Sequence, residues 1–217
     1  MPSRAPRAGR SARYARRVAI AEVLPGVHHW TQIHPRIRAR VHCHFHERSG
    51  TLIDPLVPAE GIEWFDGREV RRVVLSNRHH LRHAGRFADR FDCPILCHEA
   101  GLHEFAGGPE VEGFPFGERL ADGLVALEMD AICAEDTALE IAAGDGALLF
   151  ADAVINHGGL GFVSDRLIGD DPAGVKRRLR ERASALCERD FDHLLFAHGE
   201  PLIGGGKEAL RRFADGR

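Results

Sequence analysis

Long apolar runs are absent from this sequence of 217 residues. No stretch approaches the roughly 18 consecutive apolar residues that a membrane-spanning helix needs. No apolar segment follows the arginines near the start of the chain either, so a secretory signal is not indicated. The sequence therefore predicts a protein without membrane contacts, and its 44% of hydrophobic residues is enough for a sizeable core.

Cysteine is scarce, and the glycine-rich catalytic motifs are missing. The five cysteines are odd in number and scattered, which does not suit a disulfide framework and favours a reducing cytoplasm. The chain has no G-x-S-x-G nucleophile motif, no phosphate-binding P-loop and no G-x-G-x-x-G before a helix pattern. The common signatures of serine hydrolases and nucleotide-binding enzymes are therefore lacking.

Lysine and aromatic residues are also few, and the charge is unevenly distributed. Only two of the 29 basic residues are lysines, and six arginines lie in residues 1–17 without any acid. The other 200 residues carry 23 basic and 32 acidic side chains, a net charge of −9. An acidic body with 7% aromatic residues lacks the basic, stacking surface of a nucleic-acid-binding protein. We predict a disordered basic extension over residues 1–16 and a single domain over residues 17–217.

Two rounds of strands followed by a helix fill this domain. In the first half, strand-like segments such as "RRVVLSN" and "CPILCH" flank the helix pattern "LRHAGRFADRF". In the second half, "GLVALEM", "TALEIAA" and "GALLFADAVI" precede the long helix pattern "DDPAGVKRRLRERASALCE", which Asp170 or Asp171 can cap. This order predicts an α/β fold with two packed sheets and helices outside them.

Four short segments resemble, in order, the signposts of the metallo-β-lactamase superfamily. "GTLIDP" stands at its apolar strand ending in aspartate, "VVLSNRHHLRHAGRF" at its T-H-x-H-x-D-H motif, "GALLFADAVI" at its late strand with a bridging aspartate, and "LLFAHGEPLIGGGKEAL" at its closing G-H-G-x-P segment. Each segment alone is a weak signal, but their common order is specific. The resemblance covers roughly residues 18–215. It implies a metallo-β-lactamase-like four-layer αβ/βα sandwich with one or two metal ions, usually zinc, between its sheets.

The resemblance preserves only part of the family's ligand set. His79 matches the second motif histidine, Asp152 the bridging aspartate and His198 the final histidine. Cys133 is the nearest candidate for a further isolated histidine of the family. These four residues are the metal-ligand candidates, and His79 and Asp152 are also the catalytic candidates.

Three motif positions are replaced by residues that do not bind metals in the family's way. Asn77, Leu81 and Arg82 stand where the family has a histidine, an aspartate and a histidine. Leucine cannot ligate a metal or orient a water, and the fixed positive charge of Arg82 repels a dication. A dinuclear zinc centre is therefore not expected. Asn77 and Arg82, with His157 on a glycine-rich loop, are instead predicted to contact an anionic substrate or ligand.

Two interpretations of the surviving residues stay open. In the first, His79, Asp152 and either Cys133 or His198 hold one zinc or another divalent ion and leave a position for water, with His83 as a spare ligand. In the second, the two histidines are buried and hydrogen-bonded to the aspartate without any metal. The small number of surviving ligands favours the second interpretation.

The remaining histidines carry weaker expectations. Three of them alternate along one strand pattern, so they share a face, which we expect to be solvated: His42, His44 and His46. Four others fit no ligand pattern: His80, His98, His103 and His193.

The sequence thus predicts a hydrolase of the metallo-β-lactamase type with an eroded metal site, acting on an ester- or thioester-type small molecule. The alternative is a metal-free ligand-binding protein, a pseudoenzyme, that uses the same cleft between the sheets. A nucleic-acid substrate is not expected, although the superfamily includes nucleases.

Overall fold

The computed structural model describes residues 19–217, and its first sheet holds seven strands in chain order. These are β1 Ala21–Leu24, β2 Val27–Ile33, β3 Arg40–His46, β4 Thr51–Ile53, β5 Arg72–Leu75, β6 Ile95–His98 and β7 Glu112–Phe114. Strands β1 to β4 pair antiparallel, and β4 to β7 pair parallel. The predicted extension over residues 1–16 lies outside the described residues, so it and the domain boundary at residue 17 stay predictions.

The second sheet has five strands in the order β14-β11-β10-β9-β8. Its strands are β8 Arg119–Ala121, β9 Leu124–Glu128, β10 Thr137–Ile141, β11 Ala147–Phe150 and β14 His193–Phe196. A small hairpin of β12 Ile155–Asn156 and β13 Leu160–Gly161 follows β11 in the chain and precedes the long second helix. The α-helices are α1 Ala84–Phe91, α2 Pro172–Leu186 and α3 Gly206–Ala214. Asp171 caps α2, as predicted, by accepting a hydrogen bond from the backbone N–H of Gly174.

Alternation along the central strands builds the four layers. Val74 of β5 and Leu149 of β11 meet in the core between the two sheets. Their neighbour Leu75 faces the other way and packs in the core beneath α1, while Phe150 packs in the core beneath α2 and α3. Successive strand residues point to opposite faces, so each sheet buries one face on its partner and one on helices. The predicted four-layer αβ/βα sandwich is confirmed.

The longest helix of the described residues, α2, has 15 residues, and no helix among them is long and apolar enough to cross a membrane.

Candidate metal centre

The loop after β5 sends two consecutive histidines in different directions. Residues Arg78–His80 form a 3-10 turn, which Asn77 caps by accepting a hydrogen bond from the backbone N–H of His79 at 2.9 Å. Because a 3-10 turn has about three residues per turn, adjacent side chains point roughly 120° apart. His79 is exposed, whereas only 5% of the surface of His80 is accessible.

His80, Asp152 and His198 converge at one end of the space between the sheets. Their candidate ligand atoms all lie within 4.8 Å of one another. Oδ1 of Asp152 is 3.1 Å from Nε2 of His198 and 3.6 Å from Nε2 of His80. The direction of the 3-10 turn brings His80 into this cluster and leaves His79, the predicted ligand, outside it. We call these three residues the His80 group.

The strand register explains why Asp152 and His198 are neighbours. Strands β11 and β14 are parallel, and Phe150 lies opposite Phe196 in their ladder. Asp152 and His198 each follow two residues after that pair, so they leave the same edge of the sheet side by side. Both were predicted as ligands, and the structure brings them together.

Asp54 completes the surroundings of His80. It follows β4 in a left-handed conformation, with φ of 49°, and its carboxylate accepts hydrogen bonds from the backbone N–H (2.8 Å) and the hydroxyl of Ser76. Its Oδ2 lies 3.0 Å from Nδ1 of His80, so Nε2 of that ring is turned towards Asp152. The sequence shows Asp54 as the aspartate of "GTLIDP" and His80 at a variable position of the histidine motif, and neither position by itself predicts a role in the site.

The carboxylates control the charge of the group. Burial opposes protonation of His80, but Asp54 and Asp152 outweigh it and raise the pKa of His80 to about 9. Burial likewise opposes ionisation of Asp152, yet His80 and His198 hold the pKa of that carboxyl well below its usual range. Burial lowers the pKa of His198, so its imidazole is neutral and available as a ligand. Asp136 is buried beside the group, and burial together with the Asp152 carboxylate raises the pKa of Asp136 well above its usual range.

Asn77 and Leu81, which replace two motif ligands, both make structural contacts within the fold. Nδ2 of Asn77 donates a hydrogen bond to Sγ of Cys133 at 3.3 Å. Burial raises the pKa of the Cys133 thiol well above its usual range, and a protonated thiol is a poor ligand. Cys133 lies outside the His80 group, contrary to its assignment as a ligand candidate. Leu81 is half-buried and packs against the core beneath α1.

Arg82 links β3 to the end of β4 through side-chain hydrogen bonds. It has a positive φ of 42°, and its Nη1 donates to the carbonyl oxygens of His42 at 2.8 Å and Asp54 at 2.7 Å. These bonds tie β3 to the end of β4. Nη1 of the guanidinium that is predicted to meet an anionic ligand is thus engaged by backbone carbonyls, whereas Nη2 is buried without a hydrogen-bond partner among the described residues; Arg82 lines the cleft.

A cleft of about 920 Å³ opens onto the His80 group. His79 and the exposed His157 line it, whereas the predicted substrate contact Asn77 is buried and does not. Nδ1 of His83 accepts a hydrogen bond from the backbone N–H of Val57 at 3.0 Å. His83 is therefore a structural residue at the start of α1 and no member of the group.

The alternating histidines of β3 are buried, contrary to the expected solvated face. Their neighbours on that strand pack beneath α1, so the histidines face the second sheet, where the backbone N–H of His42 also bonds to the carbonyl of Ala197. His29 of β2 joins them, with its Nε2 2.8 Å from Nδ1 of His42 and its ring 5.1 Å from that of His44. We call His29, His42 and His44 the histidine layer.

Comparisons with known proteins identify the fold. The sequence matches no protein-family model and no curated protein. A β-lactamase domain protein from Burkholderia ambifaria superposes with a TM-score of 0.65 at 16% identity, over 90% of this chain and 75% of that chain. A metallo-β-lactamase from Pseudomonas aeruginosa in its mono-zinc form gives 0.65 at 14% identity, over 94% and 97%. A metallo-β-lactamase family protein from Thermus thermophilus gives 0.65 at 14%, over 90% and 80%. The chain has the metallo-β-lactamase fold, as the order of its four motifs predicted.

Proposed function

We propose that this protein is a metal-dependent hydrolase that holds one divalent ion on His80, Asp152 and His198. The observation that carries the proposal is the convergence of three ligand atoms within 4.8 Å, with Asp54 on the far nitrogen of His80. Two imidazoles and one carboxylate match a catalytic zinc site, which keeps its fourth position open. A carboxylate behind a ligating histidine is its usual outer partner. The residues present therefore fit a single zinc.

The reaction would be hydrolysis of an ester or thioester. A zinc bound here would lower the pKa of a water molecule and polarise the carbonyl. The carboxylate of Asp152, which stays ionised, would accept a hydrogen bond from that water and orient it. That water would release one proton to solvent as its pKa falls, its oxygen would bond to the acyl carbon, the C–O or C–S bond would break, and the leaving atom would take up a proton. His79, exposed in the same cleft, would supply that proton.

Other features support this proposal for a small-molecule substrate in a reducing compartment. The mono-zinc form of the Pseudomonas protein gives a precedent for a single ion in this fold. A cleft of about 920 Å³ matches the size of small-molecule sites. All five cysteines are free, which suits the cytoplasm.

A second candidate function is ligand binding without a metal. It is favoured by the position of His80 between two carboxylates, which raise the pKa of His80 to about 9. An imidazolium there supplies a positive charge to the group without any ion.

Zinc content of the protein, purified without chelator and then loaded with zinc and desalted, separates the two functions. We expect about one zinc per chain in the wild type and in His79→Ala. His80→Ala should lose metal affinity by about 100-fold or more, because a direct ligand matters at least as much as an outer partner. Hydrolysis of p-nitrophenyl acetate should stop with chelator and return with zinc. A wild type that retains no zinc after loading would overturn the metal-dependent function, and two tightly bound ions would overturn the single-ion site.

A further inference from the structure

The mouth of the cleft carries two large aliphatic side chains that are exposed to solvent. Among the described residues, four large hydrophobic side chains are exposed, and the two most exposed are Ile37 at 60% and Leu167 at 69%. Both line the cleft that holds the His80 group. Single exposed hydrophobic residues need no explanation, but two at one opening indicate a binding surface.

The two side chains come from different halves of the sandwich and are held by hydrogen-bonded turns. The loop between β2 and β3 is closed by bonds from the backbone N–H of His34 to the carbonyl of Ala39 at 2.8 Å and from that of Arg38 to the carbonyl of His34 at 2.9 Å. On the other side, the backbone N–H of Leu167 donates to the carbonyl of Ser164 at 2.8 Å. Each aliphatic side chain is thus presented to solvent by an ordered turn.

Apolar lining continues inward from this mouth. Leu56, Ile132 and Val163 line the same cleft and are buried or half-buried. The polar His80 group is also largely buried, with 24% of the Asp152 side chain and less of its partners accessible. The cleft therefore passes from an apolar opening to a polar reacting centre.

The charged lining residues do not favour a carboxylate-bearing substrate. Three arginines line the cleft. Arg78 is ion-paired with Glu135, and its Nε lies 3.8 Å from Oε2 of Glu104. Arg82 donates from Nη1 to two backbone carbonyls, and its Nη2, which has no partner among the described residues, is buried away from solvent. The third, Arg36, is exposed, where solvent screens its charge.

We propose that the substrate is a neutral ester or thioester with a long apolar acyl chain that lies between Ile37 and Leu167. This proposal rests on the hydrolase function, since it assigns the substrate class of the same site. The carbonyl end would lie at the His80 group and the chain would run outward along the apolar walls. Each methylene that the walls remove from water should raise kcat/KM by about fourfold until the chain leaves the cleft.

Chain-length selectivity tests the proposal. The kcat/KM of the zinc-loaded protein is measured for p-nitrophenyl esters from acetate to dodecanoate. We expect the octanoate-to-acetate ratio to be about 100-fold or more in the wild type, which corresponds to removing roughly three to four of the six added methylenes from water, and to fall about tenfold in the double variant Ile37→Ser/Leu167→Ser. The matched control is Ile203→Ser, which removes an aliphatic side chain of 47% exposure outside the cleft. A flat chain-length profile, or an equal fall in the control, would overturn the proposal.

Binding without turnover keeps this test separate from the proposed function. Methyl ketones from 2-butanone to 2-dodecanone resemble the esters but have no bond to hydrolyse, and their affinities are measured by calorimetry. Affinity that rises with chain length and falls in the double variant supports the apolar site even if no ester is hydrolysed. If esters are hydrolysed but the ketone affinities do not depend on chain length, the hydrolase function is supported and the acyl-chain site is rejected.

Discussion

The His80 group and the histidine layer both contain buried histidines, yet the layer is neutral whereas His80 is protonated. Both are buried, and burial alone lowers a histidine pKa. In the layer burial acts without a carboxylate partner, and the pKa of His29 falls to about 4 and that of His42 to about 2. In the His80 group two carboxylates reverse the effect and raise the pKa of His80 to about 9. Two carboxylates outweigh burial at His80, whereas Asp152 alone does not outweigh it at His198, whose pKa stays below its ordinary value.

This difference also separates their roles. The layer consists of neutral rings between the sheets: His29 and His42 share a hydrogen bond and stack, and the ring of His44 lies tilted beside that of His29. The His80 group faces the cleft, and its acids and bases can meet a ligand. Carboxylates next to histidines are therefore the feature that marks the reactive cluster.

The largest expected effect comes from removing the charge behind His80. Asp54→Asn keeps the shape and tolerates the left-handed backbone, but it leaves the buried histidine with one acid instead of two. We expect the free energy of unfolding, measured with urea in chelator, to fall by about 3–5 kcal/mol. The control is Asp66→Asn, which breaks an exposed pair with Arg90 and should leave the value unchanged within error. Equal effects at both sites would remove the distinction between buried and surface carboxylates.

The two clusters should give opposite pH dependence. His80 has a folded pKa of about 9, above its ordinary 6.5, so its contribution to stability is full below pH 6.5 and is lost as the pH rises towards 9. His29 has a folded pKa of about 4, so the unfolded chain binds more protons below pH 6.5, and stability falls as the pH drops towards 4. His80 and His29 should each change the free energy of unfolding by about 1.4 kcal/mol per pH unit between their ordinary and their folded pKa values.

Urea unfolding of the chelator-treated protein between about pH 4.5 and 9.5 measures both slopes. His80→Asn should reduce the slope on the alkaline side alone, and the double variant His29→Leu/His42→Leu should reduce the slope on the acid side alone, where the lowered pKa values of His44 and His198 keep part of it. A wild type whose stability is constant across this range would contradict both shifts.

Within the layer, the hydrogen-bonded pair should cost more to break than to remove. His29→Leu leaves Nδ1 of His42 buried without its partner, so we expect a loss of about 1–3 kcal/mol in the free energy of unfolding. Changing both residues to leucine removes both polar atoms and should cost less than the single change. Urea titration of the two single variants and the double variant gives the coupling energy, and losses that merely add would show that the pair is not coupled.

The smallest effect is expected at a histidine that belongs to neither cluster. His157 is exposed on the cleft rim, so His157→Ala should raise KM by about two- to tenfold while leaving kcat and the free energy of unfolding unchanged. Steady-state kinetics on the octanoate ester, with zinc content as the control, checks this. A loss of zinc in this variant would show instead that His157 contributes to metal binding.

Much of the fold could be predicted because strand patterns and motif order are local signals. The continuous apolar runs in "GALLFADAVI" and "LLFAHG" are typical of strands buried on both faces, and the residues after them, Asp152 and His198, follow at equal distances. Two parallel neighbours then bring those residues together. The sequence could therefore supply two of the three members of the His80 group.

The third member depended on tertiary structure. The spacing of "SNRHHLRHAG" favours His79 by its likeness to the family motif, but the Asn77-capped 3-10 turn rotates His80 inward to Asp54. The pattern contains both histidines and cannot tell which one a three-residue turn will bury.

The sequence by itself determined the α/β sandwich and the strand ends that carry Asp152 and His198, because apolar runs and motif order are properties of the chain. Only the tertiary structure decided which faces are covered. The period of two in "RVHCHFH" separates the histidines of β3 from their apolar neighbours, but it cannot say that a second sheet lies over them. Burial, and the carboxylates that oppose its effect on charge, come from residues distant in sequence, so the ionisation of each histidine is settled by packing.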